Sequence, residues 1–204
     1  PGPETYLAYA ESLSEAYKHR FDTMGDSNEI STPSCTTHIT VGDANGNFVA
    51  LTQTLLSLFG SKVMLPSSGV LMNNGIMWFD PRPGLPNSIQ PGRKPLSNMC
   101  PTIFTHNGSR TALGASGGRR IMPAVFQLMS FLTDFDMDVG AAAAHPRIDV
   151  SGGDNLSLDA RLSQEIENVI RKKFAVERGH HGVYPSLYAC PNVVSGPIGG
   201  GPVT

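Results

Sequence analysis

The sequence is poor in charge. Only 16% of its 204 residues are Asp, Glu, Lys or Arg, well under the usual quarter, and the net charge is −2. That lack of basic excess excludes the footprint of a typical nucleic-acid binder. Apolar residues make up 40%, so the chain does not fit disorder driven by low hydrophobicity and high charge. There is one tryptophan, and the three cysteines, Cys35, Cys100 and Cys190, are too few for a disulfide framework. They read as small hydrophobes, although one pair plus a free thiol fits the same count. No run of about 18 apolar residues occurs, so no membrane-spanning helix is expected. The chain opens on Pro1, with no charged segment leading into an apolar one. It therefore reads as a piece of a longer protein, with its compartment unstated.

What is abundant is punctuation: 22 glycines and 16 prolines, with no Gly-X-Y period that would indicate collagen. Such a chain is expected to carry function on turns and close backbone approaches. Residues 4–24 read as a helix, with Leu7, Ala10, Leu13, Tyr17 and Phe21 at helical spacing and Gly25 as the stop. DSNEISTPSC, from Asp26 to Cys35, reads as an exposed linker. TTHITVGD and NFVALTQT flank Asn45-Gly46 and predict a hairpin beginning near Thr36. The stretch from Gly60 to Pro101 is turn-dense, with short strands expected around Gly69 to Asn73. A second hairpin is expected around Asn107-Gly108 and helices over 121–131, 139–144 and 163–174. The tail from Ser195, SGPIGGGPVT, reads as a loop or disorder. Strands arriving in hairpins point to antiparallel sheets covered by helices, an α+β layering.

Two local patterns carry chemistry. Thr36-Thr37-His38 lies at the border of linker and strand. A hydroxyl needs a base beside it to attack, and a chain-terminal Thr has one in its own α-amine, whose pKa is near 8. Alone, a Thr-Thr is equally a β-prone strand start. Gly114-Ala115-Ser116-Gly117-Gly118 precedes a helix, where backbone N–H groups suit a developing oxyanion; alone it is equally a tight turn. Asp134, Asp136 and Asp138 imitate a calcium loop but lack its glycine and closing Glu. His180-His181 with Cys190 lacks zinc spacing. Asn107 and Asn155 begin glycosylation sequons that matter only in a eukaryotic secretory setting. Lys62, Arg93 and Lys94 read as solvated charges.

In order, TTHITVGDANGNFVALTQTLLSLFGS, GVLMNNGIMWFDPRPG, PGRKPLSNMCPTI and LGASGGRRI resemble the gamma-glutamyltranspeptidase family of N-terminal-nucleophile hydrolases. The resemblance runs from about Thr36 to Arg147, with weaker likeness upstream in AYKHRFDTMGD. It implies a four-layer αββα sandwich and autocatalytic cleavage of the Cys35–Thr36 bond. Residues 1–35 would then end a large subunit, and 36–204 would form the small catalytic subunit. Thr36 would be the nucleophile and Thr54 its hydrogen-bonding neighbour, with Gly117 and Gly118 forming the oxyanion hole. Ser97 would contact a substrate carboxylate. No metal or organic cofactor is implied. The implied partners are the large-subunit fragment of the same precursor and a small amide or peptide substrate. Relatives of this kind are often periplasmic or extracellular. Cleavage before Cys35 would instead make that thiol the nucleophile, as in some members of the superfamily, but it displaces the TTH register.

The departures bear on substrate. Leu56 stands where the family has Asn, Asn98 replaces the second of two serines, and Gly75 and Trp78 replace Gln and Asp in the NN-Gln-x-x-Asp segment. Those acceptors hold a γ-glutamyl α-amine, and each lost charge-assisted bond costs about 1.5–3 kcal/mol. The acyl-transfer machinery is thus expected intact and the amine pocket rebuilt, which suits either γ-glutamyl amides or an acyl group without the amine, as in cephalosporin or glutaryl acylases. An unprocessed, silent scaffold is the reading from another class.

Overall fold

The computed structural model of the chain describes residues 1–26, 35–151, 155–180 and 188–204. Most of the expected linker (27–34) and His181 lie outside the described residues.

Helix α1 (Pro3–Met24) starts on a proline, whose missing N–H is one of the donors a helix start leaves unused, and stops at left-handed Gly25 (φ 76°). Its Tyr6, Tyr9, Ala10, Leu13 and Tyr17 are buried. They share one core with Phe131, Ile148, Leu158, Ile166 and Ile170. Helix α1, upstream of Cys35, is therefore built into the fold rather than appended to it.

Strands β1 (Thr36–Gly42) and β2 (Phe48–Thr54) form the expected hairpin, in a register that sets Thr36 opposite Thr54. Asp43 closes its turn: one carboxylate oxygen accepts from the N–H groups of Asn45 and Asn47, each at 2.9 Å. The second hairpin, β3 (Thr102–His106) and β4 (Ser109–Ser116), turns at Asn107-Gly108, both at positive φ as a two-residue turn of this kind requires. The free edge of β4 pairs antiparallel with β8 (Cys190–Pro197).

That last strand corrects the tail. Ser195 and Thr204 exchange both backbone hydrogen bonds, at 2.7 and 2.8 Å, and Gly201 N–H reaches the Ala44 carbonyl at 3.0 Å. The glycines that read as loop content permit this approach, because a Cβ on Gly200 would collide with the Ala44 carbonyl.

The first hairpin lies against β4 and β8. They approach closely at Gly114, where a Cβ would lie 2.3 Å from the His38 ring. On the other side, α2 (Ile121–Thr133) packs Ile121, Ala124 and Val125 onto Leu113 and Ala115, with Pro123 tolerated in its first turn. Gln127, fully buried on α2, bonds both the carbonyl (2.8 Å) and the N–H (2.9 Å) of Ile148. Asp138, the third acid of the calcium-like run, caps α3 (Val139–Ala144) by accepting from Ala141 N–H at 2.9 Å.

A third sheet, β5 (Ile148–Asp149), β6 (Leu156–Asp159) and β7 (Val176–Gly179), is one that the hairpin pattern does not predict. Its β6–β7 pair is parallel, contrary to the all-antiparallel expectation, because α4 (Gln164–Ile170) provides the crossover between them. Helix α4 is shorter than the expected 163–174. Its last turn tightens through Lys172 N–H to Val169 (3.3 Å) and Lys173 N–H to Ile170 (3.0 Å), which folds Phe174 back onto the core. No strand forms around Gly69–Asn73; Met64 and Leu71 make an isolated bridge, followed by a 3-10 turn over Gly75–Trp78. The architecture is mixed α+β, with hairpin, sheet and helix layered in that order rather than a complete four-layer sandwich.

Candidate active site

Alternation along β1 and β2 turns Thr36, His38, Thr40, Thr52 and Thr54 inward, so the hairpin presents a polar face to β4. Thr36 Oγ1 donates to Thr54 Oγ1 at 3.0 Å. Leu56 N–H donates to the same Thr54 oxygen at 2.9 Å, and the Thr54 proton faces the Cys35 carbonyl oxygen at 3.4 Å. One hydroxyl therefore adjoins both the expected nucleophile and the carbonyl of the expected cleavage bond. Cys35 N–H to Leu56 and Leu55 N–H to Cys35, both 3.2 Å, extend the ladder past Thr36 and hold that bond in register. In the uninterrupted chain the Thr36 nitrogen is an amide without basicity; cutting before it creates the amine.

Two residues on, His38 donates to or accepts from Thr52 Oγ1 at 2.7 Å through Nδ1, while its Nε2 is buried without a partner. Burial against Gly114 pushes the imidazole below its ordinary pKa.

Gly117 (φ 144°) and Gly118 (φ 63°) turn the chain from β4 towards α2, both where L side chains are strained. A Cβ on Gly117 would also lie 2.8 Å from Ala189. This is backbone geometry that only glycine takes without cost, at the place where exposed N–H groups were expected.

The remaining expected residues are joined by hydrogen bonds that sequence reading missed. Asn74 N–H reaches the Leu55 carbonyl at 3.2 Å, and its side chain exchanges bonds with Ser57 (Nδ2 to Oγ 2.9 Å, Ser57 N–H to Oδ1 3.2 Å). That ties Gly75 and Trp78 to the loop leaving Thr54. Buried Asn87 donates to the Trp78 carbonyl at 2.6 Å and accepts from Leu96 N–H at 3.2 Å, linking Trp78 to Ser97 and Asn98. Arg20 of α1 then grips Asn98 Oδ1 at 2.7 Å and Asp26 at 2.5 Å. Asp26 in turn accepts from Arg119 at 2.7 Å, one residue past Gly118. The only signal for these four was weak: asparagines inside turn-dense segments, and an Arg and Asp in the upstream AYKHRFDTMGD. Leu56 adopts φ 66° in a left-handed conformation that asparagine tolerates better. Cys35 and Cys100 are half-buried and Cys190 is exposed, all three as free thiols. Among the described residues no cluster of His, Cys, Asp and Glu is arranged to hold a metal ion, and no helix is long and apolar enough to cross a membrane.

The family model for gamma-glutamyltranspeptidase matches residues 4–184. The chain belongs to the gamma-glutamyltranspeptidase family. Among curated relatives of this gamma-glutamyltranspeptidase homologue, the acylase ACY 1 proenzyme of Pseudomonas sp. (strain SE83) is 37% identical over 146 residues, 71% of this chain and 25% of that protein. The glutathione hydrolase proenzyme of Bacillus subtilis (strain 168) is 41% identical over 114 residues, 55% of this chain and 19% of that protein. The chain thus spans about a quarter or less of these relatives. Among solved structures, gamma-glutamyltranspeptidase from Pseudomonas nitroreducens complexed with L-DON superposes with TM-score 0.62 at 26% identity, over 82% of this chain and 92% of that one. Cephalosporin acylase from Bacillus halodurans shares the fold with TM-score 0.72 over 98% of this chain and 42% of that one, at 18% identity.

Proposed function

We propose that the chain is the C-terminal catalytic part of an autoprocessing amidohydrolase or acyltransferase that works through an acyl-threonine. The observation that carries this reading is Thr54 Oγ1, placed between Thr36 Oγ1 and the Cys35 carbonyl oxygen. In the precursor, Thr36 Oγ attacks the Cys35 carbonyl, the Thr36 nitrogen leaves with a proton, and water opens the resulting ester to free a Cys35 carboxylate. In the mature form the Thr36 amine takes the hydroxyl proton as Oγ attacks a substrate amide and passes it to the leaving amine. Gly117 and Gly118 N–H groups stabilise the tetrahedral oxyanion. Water or an acceptor amine then resolves the ester. The rest of the precursor completes the pocket, and γ-glutamyl amides of the glutathione type are one substrate class.

A second reading, an acylase for amides without the α-amine, is favoured by the joined set of Leu56, Gly75, Trp78 and Asn98, which offers an ammonium group no carboxylate. Intact-mass analysis tests the first claim. Two fragments are expected, the second beginning at Thr36, with Thr36→Ala left whole. A single species that never takes an acyl group on Thr36 sinks it. Parallel assays with γ-glutamyl and glutaryl anilides separate the two substrate classes, and turnover of the γ-glutamyl compound alone rejects the acylase.

A further inference from the structure

Ser97 and Asn98 are held by a guanidinium, and that settles which of their groups remain free. Arg20 Nη2 lies 2.7 Å from Asn98 Oδ1, and Nη1 lies 3.4 Å from the Ser97 carbonyl oxygen. A guanidinium has only donors, so the oxygen of the Asn98 amide must face Arg20 and its NH₂ must face the other way. Here chemistry fixes an amide orientation that is otherwise a matter of assignment. Among the described residues nothing accepts from that NH₂. Ser97 is similar: its Oγ accepts from Met99 N–H at 3.1 Å, which leaves its own proton free to donate. The segment thus leaves a hydroxyl proton and an amide NH₂ available to donate.

The grip is itself braced. Arg20 Nε pairs with Asp26 at 2.5 Å, and the other oxygen of Asp26 takes Arg119 at 2.7 Å. The three side chains are only 14–22% exposed. The Arg119 guanidinium also stacks over Phe21, 5.2 Å from the ring centre. One carboxylate from the segment before the cleavage bond therefore couples the Asn98 segment to the turn carrying Gly117 and Gly118.

We propose that Arg20 is a positioning residue that locks Asn98 as a hydrogen-bond donor, so that this position selects an acyl group ending in an anion and disfavours one ending in an ammonium. The inference rests on the reading of Ser97 and Asn98 as substrate contacts. It adds the residue that sets their polarity and the charge of the acyl terminus they take.

The test uses the full-length protein and two probes of equal chain length, glutarate and 4-aminobutyramide, whose only charged group is its ammonium, titrated by calorimetry. Wild type is expected to bind glutarate at least tenfold more tightly. Asn98→Asp keeps the Arg20 contact and the side-chain shape but replaces the donor by an acceptor, and it should abolish or reverse the preference with an unchanged thermal midpoint. Arg20→Gln should lose about tenfold in glutarate affinity, and Arg20→Lys should recover part of it. An Asn98→Asp protein that retains the glutarate preference overturns the proposal. So does an Arg20→Gln protein with wild-type affinity, or a wild type that does not discriminate. Thr36 acylation by a glutaryl nitrophenyl ester, read by mass, is independent of these titrations. Acylation without an Asn98 effect defeats only this inference, and a binding preference without acylation defeats only the nucleophile reading.

Discussion

At the scale of single residues, the oxygen of Thr54 carries more of the argument than any other atom. It accepts from Thr36 Oγ1 and Leu56 N–H, and its own proton faces Cys35 O. Thr54→Val keeps the β-branched shape and removes all three contacts. It is expected to slow cleavage at Cys35–Thr36 by about 10²–10³-fold, the usual effect of deleting one aligned polar group at a reacting centre. Thr54→Ser should stay within about tenfold of wild type. Time courses of fragment formation on a gel check both, and equal rates for Val and Thr reject the role. Leu56 gives a second expectation. Its positive φ costs roughly 1 kcal/mol in a non-glycine residue, and Leu56→Asn relieves that strain while surrendering a buried apolar side chain worth about 2 kcal/mol. Denaturant unfolding should therefore show a net loss near 1 kcal/mol, and a gain in stability contradicts this balance.

Elements show why some of the site was legible and some was not. The hairpin was readable because Asn45-Gly46 sets a turn and β-branched residues alternate around it, and register then follows from the turn. The pairing of Thr54 with Thr36 was implied by the family resemblance, and a hairpin over these two strands is compatible with it. Strand β8 and its extension to Thr204 were not readable, because glycine spacing looks the same whether the backbone is free or pressed against Ala44. The parallel β6–β7 pair was hidden for another reason: two four-residue strands carry too little alternation, and parallel pairing leaves no turn signal. Asn74, Asn87, Arg20 and Asp26 join segments far apart in sequence, and local pattern holds no trace of such pairing.

The ion-pair brace between α1 and the turn that precedes α2 yields a pH prediction at this scale. Burial raises the Asp26 pKa, but hydrogen bonds and charge from Arg119 and then Arg20 outweigh it, and the carboxyl sits below its ordinary value. A depressed folded pKa means stability that is present above about pH 4, the unfolded value, and lost as pH falls through the folded value. Asp26→Asn should cost about 2 kcal/mol at pH 7, less than the 3–5 of a fully buried pair because the side chains keep some water. The gap between the two proteins should close as the pH drops below 4. A gap independent of pH in urea titrations refutes the brace.

For the whole molecule the polarity of the first hairpin is the unusual feature. Its inward face carries Thr36, His38, Thr40, Thr52 and Thr54 beside Phe48 and Ala50, whereas Ile39, Val41, Val49 and Leu51 stand outward at 42–51% exposure, with Thr37 and Gln53. An isolated domain gains nothing from this inversion. It becomes intelligible under the proposed function, with the inward face as the reaction site and the outward face covered by the rest of a precursor. Covering the remaining area is worth about 1 kcal/mol per side chain at 25 cal/mol per Å². The double substitution Val41→Thr and Val49→Thr should accordingly leave the unfolding midpoint of the isolated chain within about 0.5 kcal/mol, as expected for exposed positions. In the full-length processed protein the same pair should weaken association of the two fragments by about tenfold, because a buried hydroxyl needs a partner that the apolar cover does not offer. Dissociation in increasing urea, followed by size-exclusion chromatography, measures this directly. Unchanged association in the full-length protein means that the face stays open to water, and the inverted hairpin then needs another explanation.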